Sequence, residues 1–297
     1  MTVMRSVFYV VGNREDFIAK IPQIPADVIT IDLEDSVPPA EKAKARELAK
    51  KNIKFATSGG ADVFVRVNNW ETGMTNDDLE AVVYDGLHSI CLAKCGGPDD
   101  VKRLEWKIEE LEQRRGLKPG SVGIQILIET AKGMMNVWNS AQASKRINSL
   151  IFGHVDFTTD MRVPLNHPCG EELKWPRAWV ACAARAIGAV AIDGPYPAFK
   201  DLEGFAKDTE YGHGLGFEGR MLIHPSQIEP AHKIYTPDTE RVEWARAVVD
   251  LFEKEGIAKG LGSVSYKNKM VDVAVYAGAR KTLDTINEIE AKQKARK

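Results

Sequence analysis

Short apolar runs in this chain repeatedly end in ionisable residues. One closes on Asp32-Leu33-Glu34-Asp35, and others reach Arg66 and Asn68, Lys94, Glu129, His154 with Asp156, Asp193 and His224. Carboxylates gathered in one place repel one another and are partly neutralised by protonation unless positive charge sits among them. A divalent cation meets that need. All-oxygen ligands from Asp and Glu select a hard ion such as Mg2+, or Mn2+, over zinc, and Mg2+ takes one or two carboxylates while keeping positions for water and substrate. Glu129 and Asp156, at the ends of successive runs, suit the role of metal ligands. Taken singly, any such carboxylate could instead cap the next helix or pair with a neighbouring base.

Arg66 lies in Val63-Phe64-Val65-Arg66-Val67-Asn68. A guanidinium at the end of an apolar strand is costly to desolvate unless it meets an anion, so Arg66 is expected to face a substrate carboxylate or enolate, or else a neighbouring acid. Lys94 raises a different chemistry, because a lysine at a strand end is where a metal-free Schiff-base aldolase carries its nucleophile. Borohydride trapping of an adduct, with activity surviving EDTA, marks that route. His154 and His224 could serve as bases or ligands, but each is flanked by apolar residues and reads rather as a hydrogen-bonded structural histidine. Gly214, Gly216 and Gly219 spell G-x-G-x-x-G, but they precede a strand rather than follow one, which is the wrong context for a dinucleotide-binding turn.

The elements that must position these groups are legible as eight apolar, β-branched runs: Ser6–Val11, Asp27–Leu33, Asp62–Asn68, Leu87–Lys94, Ser121–Glu129, Ser149–Gly153, Ala189–Asp193 and Arg220–His224. Helical patterns lie between them, among them Glu41–Lys54, Asp99–Arg115 and Glu171–Ile187. Such alternation predicts βα units around a parallel sheet, and eight units favour an α/β fold closed as a (β/α)8 TIM barrel over a doubly wound open sheet. Active sites of that barrel lie at the carboxyl ends of its strands, where the charged residues would collect. The expected organisation is a catalytic barrel over residues 1–235 and a C-terminal helical extension over 236–297. That extension reads as a helix near Thr239–Lys254, a Gly-rich loop at Gly256–Ser263 and a helix over Val271–Lys292.

Forty Lys and Arg against 42 Asp and Glu give a formal net charge of -2 over 297 residues, so there is no broad positive field for nucleic acid. No apolar run approaches the roughly 20 residues of a membrane span, and the apolar stretch after Arg5 is too short for a signal peptide. A cytoplasmic protein is expected, binding neither nucleic acid nor membrane. Cys91, Cys95, Cys169 and Cys182 form no C-x-x-C pair and no disulfide framework, and are expected to be reduced. Cys91 and Cys95, set among Ile, Leu and Ala, read as small hydrophobes of a buried strand.

Seven ordered motifs carry a family resemblance: IDLEDSVPPAEKAKAR (Ile31–Arg46), VRVN (Val65–Asn68), IETAKGMMN (Ile128–Asn136), FGHVD (Phe152–Asp156), AIDGPY (Ala191–Tyr196), GFEGRMLIHPSQI (Gly216–Ile228) and KMVD (Lys269–Asp272). Through them the chain resembles the HpcH/HpaI aldolase and citrate lyase family, in the branch of the citrate lyase beta subunit, malyl-CoA lyases and citramalyl-CoA lyases, over nearly its whole length. The resemblance implies that Glu129 and Asp156 hold Mg2+, that Glu34 and Asp35 bind the metal's waters, and that Arg66 contacts the reacting oxygens. It further implies that Asp272 is the acid/base, reaching the site of a neighbouring subunit, and that the substrates are CoA thioesters. A homo-oligomer, a trimer or a multiple of it, follows from the same likeness.

There are two departures from the family pattern. Val11 stands where proline is usual before the Gly-Asn pair, and Ala93-Lys94-Cys95-Gly96 replaces the common Pro-Lys-Val-Glu. They bear on the acyl group and keto acid more than on the metal chemistry. The segment Phe157–Leu173 matches no named activity. The expected function is a Mg2+-dependent carbon–carbon lyase that cleaves or forms a 3-hydroxy-3-carboxyacyl-CoA thioester such as citramalyl-, malyl- or citryl-CoA. Its products are an acyl-CoA, such as acetyl-CoA, and an α-keto acid, with Arg66, Glu129 and Asp156 binding the substrate. The alternatives are a thioesterase on the same scaffold, the metal-free aldolase using Lys94, and a non-catalytic barrel whose helical tail is an interaction module.

Overall fold

Eight parallel strands, β1 (Ser6–Val11), β2 (Val28–Asp32), β3 (Asp62–Val67), β4 (Ser89–Leu92), β5 (Gly123–Ile128), β6 (Ile147–Phe152), β7 (Val190–Asp193) and β8 (Gly219–Leu222), pair in chain order. β1 also pairs with β8, so the barrel is closed. The computed structural model describes residues 3–166 and 170–296; Cys169 and the middle of the segment Phe157–Leu173 lie outside the described residues. Strands covered on both faces need apolar side chains on both, which is why these runs read as continuous rather than alternating. Inward, each strand contributes to one buried cluster through Val7, Val28, Phe64, Cys91, Leu127, Ile151, Ile192 and Met221. Outward, residues such as Ile29, Ile31, Val63, Val65, Ile90 and Leu92 belong to the larger apolar layer under the helices.

The helices of this unit are α1 (Glu15–Ile18), α2 (Lys42–Ala56), α3 (Thr75–Val82), α4 (Pro98–Arg114), α5 (Ala131–Ala141), α6 (His154–Met161), α7 (Lys174–Ala186), α8 (Leu202–Gly214) and α9 (Ile228–Tyr235). Their starts follow the usual chemistry. α4 opens on proline with Asp99 and Asp100 in its first turn, and the Thr130 hydroxyl caps α5 by accepting the Gly133 N–H. The G-x-G-x-x-G also has a packing explanation. Gly216 has φ 107°, and a Cβ on Gly219 would stand 1.8 Å from the Met4 carbonyl oxygen. Among the described residues no helix is long and apolar enough to cross a membrane.

The chain divides into two compact units, Met4–Tyr235 and a second from Thr236 onward. In the second, Asp238 caps α10 (Thr239–Leu251), and one π-helical turn, Phe252–Ile257, continues it. A β-hairpin follows, β9 (Ser263–Tyr266) and β10 (Lys269–Asp272), before α11 (Val273–Ala295). The hairpin corrects the sequence expectation of a loop running into a helix at Val271. Lys267 (φ 47°) and Asn268 (φ 59°) both adopt the left-handed conformation that a two-residue hairpin turn demands. With lysine in place of glycine, that turn is hard to see in the sequence. Ala245, Val248, Val249, Phe252, Val271 and Ala279 form this unit's own core.

A second correction concerns Asp193. Expected at the barrel mouth, its carboxylate is instead fully buried in an ion cluster with Arg177, Asp208 and Arg220. Arg177 donates to Asp193 and, at 3.2 Å, to Asp208 Oδ1; Arg220 donates to Asp208, to Thr209 Oγ1 at 2.9 Å and to the Gly194 carbonyl at 3.0 Å. The register of β7 and β8 sets Asp193 directly beside Arg220. The cluster therefore fastens α7 and α8 to two strands at once. Asp208→Ala removes the acid shared by two buried guanidinium groups, and breaking a buried pair in this way costs about 3–5 kcal/mol. Urea unfolding of the variant should show that loss; a change within experimental error would mean the cluster contributes no net stability.

Candidate active site

The register of β2 and β3 places Asp32 opposite Arg66. Arg66 Nε and Nη2 donate to the two Asp32 oxygens, both at 2.7 Å, and Nη1 stands 3.1 Å from Glu34 Oε2. Such a two-point clamp fixes the plane of the guanidinium as well as its position. The Tyr9 ring centroid lies 5.2 Å from the guanidinium carbon, and the Tyr9 hydroxyl is 3.6 Å from Cys91 Sγ. Burial works to raise the Asp32 pKa, but Arg66 and the Ser36 hydroxyl outweigh it and hold this carboxyl below its ordinary value. The anions that Arg66 meets on the protein are thus Asp32, held at two points, and Glu34.

Lys94 joins two sides of the mouth. Its backbone is left-handed (φ 48°), its N–H donates to Glu129 Oε1 at 2.8 Å, and its ammonium pairs with Glu34 and, at 2.8 Å, with Asp35 Oδ2. Burial opposes the charged form, yet the hydrogen bonds to Asp35 and Glu34 prevail and raise the lysine pKa. The amine stays protonated, the opposite of what a Schiff-base nucleophile requires. Sequence reasoning passed over Lys42. Its buried ammonium donates to the Leu33 carbonyl at 2.7 Å and to the Glu34 carbonyl and Asn68 Oδ1 at 2.8 Å, tying the acidic loop to β3. Its place inside the Ile31–Arg46 motif was the one available signal.

Glu129 follows β5, and Asp156 lies in the first turn of α6 after β6. Both line one cavity of about 340 Å³, together with Asp32, Asp35, Arg66 and Tyr9. Gly153 lets the backbone pass close, since a Cβ there would stand 2.7 Å from Glu129 Oε2. Burial, with Glu34 and Asp156 nearby and Arg66 and Lys94 only partly offsetting them, pushes the Glu129 pKa up to about 8. Among the described residues no three Asp, Glu, His or Cys side chains converge as a metal-binding group. Two carboxylates in a hollow with surplus negative charge nonetheless form a donor set that Mg2+ accepts, because that ion completes its shell with water and substrate oxygens. The residues present fit the ion.

The remaining candidates stand elsewhere. His154 is buried at the start of α6, where burial lowers its pKa to about 3 and keeps the ring neutral. His224 stacks on Phe199 at 4.8 Å between ring centroids and meets the Ser226 hydroxyl at 2.7 Å, as a structural histidine would. Asp272 ends β10 in the C-terminal unit, where its Oδ1 accepts the Val275 N–H at 2.9 Å and caps α11.

Glu129 also gives a pH test. Its carboxyl titrates near 4.5 when unperturbed and at about 8 in the fold, so between those values the metal-free folded state binds more protons than the unfolded one. The stability that Glu129 contributes therefore declines as pH rises through this window. Thermal melts of the metal-free protein should show wild type losing stability relative to Glu129→Gln from below 4.5 to above 8. Added Mg2+ should restore wild type but not the variant at the alkaline end. A difference that does not change with pH would contradict the assignment.

Residues 5–225 match the model of the family described as HpcH/HpaI aldolase/citrate lyase. The citrate lyase subunit beta of Leuconostoc mesenteroides subsp. cremoris is 34% identical over 283 residues, covering 95% of this chain and 93% of that protein. The (3S)-malyl-CoA thioesterase of Cereibacter sphaeroides is 32% identical over 287 residues, covering 97% and 96%. The CitE protein of Mycobacterium tuberculosis, solved with magnesium, acetoacetate and coenzyme A, shares the fold with a TM-score of 0.74 at 24% identity, covering 96% of this chain and 98% of that one. The chain belongs to the HpcH/HpaI aldolase/citrate lyase family.

Proposed function

We propose that the protein is a Mg2+-dependent carbon–carbon lyase acting on 3-hydroxy-3-carboxyacyl-CoA thioesters, releasing an acyl-CoA and an α-keto acid or joining them. The observation that carries this reading is the shared cavity of Glu129, Asp156 and Arg66 at the carboxyl ends of the strands, in which a buried carboxyl is pushed up to about 8. Glu129 and Asp156 would hold the ion, with Glu34 and Asp35 accepting hydrogen bonds from its waters. A bound Mg2+ would supply Lewis-acid polarisation of the substrate carboxylate and hydroxyl oxygens.

The rest is work for the chain's own side chains. Arg66, held in plane by Asp32, faces the cavity and stabilises negative charge developing on the reacting oxygens; loss of one such preorganised donor typically costs on the order of 100-fold in rate. In cleavage the substrate hydroxyl gives its proton to water as it becomes the keto-acid carbonyl, and the electron pair of the broken bond passes to the thioester α-carbon, where Asp272 delivers a proton; condensation runs the same transfers in reverse. Met270 and Val273 beside Asp272 are apolar and largely exposed. That supports a face covered by a neighbouring subunit in a homo-oligomer, trimeric or a multiple of three, with Asp272 serving its partner's cavity.

A second reading has one specific support, the 32% identity to a malyl-CoA thioesterase: water would release free CoA after or instead of carbon–carbon cleavage. An assay of citramalyl-, malyl- and citryl-CoA with and without Mg2+ tests both, provided keto acid, acyl-CoA and free CoA are all quantified. The lyase yields equal keto acid and acyl-CoA with no free CoA, and EDTA stops it; free CoA, released either along with the keto acid or with the intact hydroxy acid and no keto acid, would instead establish the thioesterase. Asp272→Asn should lower turnover by about 100-fold or more while calorimetry shows unchanged Mg2+ binding. Retained turnover would remove Asp272 from the mechanism.

A further inference from the structure

The mouth of the cavity is divided between two arcs of the barrel. Asp32 and Asp35 follow from β2, Arg66 from β3, Glu129 from β5 and Asp156 from β6, so the charged lining comes from one continuous side. The other side, formed by β7, β8 and β1, presents Pro195, Pro197, Met221, Ile223, Val10 and Val11, together with the Tyr9 ring, whose hydroxyl lies 3.6 Å from Cys91 Sγ. These three strands are neighbours because the barrel closes between β8 and β1. In building on the lyase reading, we infer that this apolar arc selects an α-keto acid bearing a small alkyl substituent, methyl or ethyl, and excludes one bearing a second carboxylate.

The argument is one of shape and charge. The carbon at which the bond breaks carries a hydroxyl, a carboxylate, the thioester arm and one further substituent. The first two belong with Arg66 and the acid pair on the charged arc. A hollow of about 340 Å³ is too small to enclose coenzyme A, so the thioester arm leaves through the open mouth. The fourth substituent then faces the apolar arc, where Met221 is nearly buried and Ile223 is 42% exposed. A carboxylate in that position would find no cation among the lining residues other than Arg66, already clamped by Asp32 and Glu34. Lys94, the other nearby cation, is engaged by Glu34 and Asp35. An uncompensated carboxylate against an apolar wall is strongly disfavoured, whereas a methyl group there gains by burial.

The test is condensation of acetyl-CoA with glyoxylate, pyruvate, 2-oxobutyrate or oxaloacetate in the presence of Mg2+. For pyruvate or 2-oxobutyrate, kcat/KM should exceed that for both glyoxylate and oxaloacetate by about ten-fold or more, the discrimination that one buried methyl group supplies. Calorimetric titration of pyruvate and oxaloacetate into the Mg2+-loaded protein, without any CoA compound, should show the same preference. Ile223→Lys adds a cation to the apolar arc at a partly exposed position, so the fold should tolerate it. It should raise oxaloacetate relative to pyruvate by about ten-fold. Oxaloacetate used as well as pyruvate by wild type, or an unchanged ratio in Ile223→Lys, would overturn this inference and leave the lyase reading standing. No condensation with any keto acid, together with no cleavage of any thioester, would overturn both.

Discussion

Like charges held close together where little water can screen them govern the mouth of this barrel. Asp32, Glu34, Asp35, Glu129 and Asp156 gather there, with Arg66 and Lys94 as the cations that touch them. At an effective dielectric constant of about 20, two like charges 4 Å apart repel by about 4 kcal/mol, a large part of the net stability of a domain. Each acid therefore takes up the position its cation allows. Arg66 claims Asp32, and Lys94 claims Glu34 and Asp35. Glu129 receives a backbone N–H from Lys94, and burial, with Glu34 and Asp156 nearby, pushes its pKa up to about 8. On the proposed lyase reading, a divalent cation bound by Glu129 and Asp156 would answer the remaining imbalance of charge.

The opposite arc reaches neutrality by another route. Asp193 and Arg220, although paired across β7 and β8, turn their charges into the wall and meet Arg177 and Asp208 there. With those groups engaged behind the strands, Pro195, Pro197 and Met221 are what this arc shows to the cavity. The ion cluster that fastens two helices to the sheet thus also decides that one side of the mouth is apolar. If the inferred keto-acid preference holds, stability and selectivity share the same four side chains.

Much of this was legible in the sequence. The eight strands announced themselves because a parallel barrel strand must be apolar on both faces, so an ionisable residue marks its end. Glu129, Asp156 and Arg66 were found by that rule and do line one cavity. The same rule misplaced Asp193, because a residue's place in a strand does not reveal whether its side chain turns toward the cavity or into the layer behind. Lys94 was weighed as a nucleophile, since its two acidic partners lie some sixty positions earlier in the chain. The β9–β10 hairpin escaped notice because its turn uses Lys267 and Asn268 where glycine would have signalled it. Asp272 was visible only through family resemblance, its local role being that of a helix cap.

Lys94 carries a mechanical consequence. Its main chain holds Glu129 while its side chain holds Glu34 and Asp35, so one residue bridges the loop after β2 and the end of β5. Outward travel of that loop must either part the ammonium from its acids or tug the amide that steadies Glu129. Events at the two places are thereby coupled through a single peptide unit, and whatever draws the loop inward also sets the aim of the carboxylate across the opening.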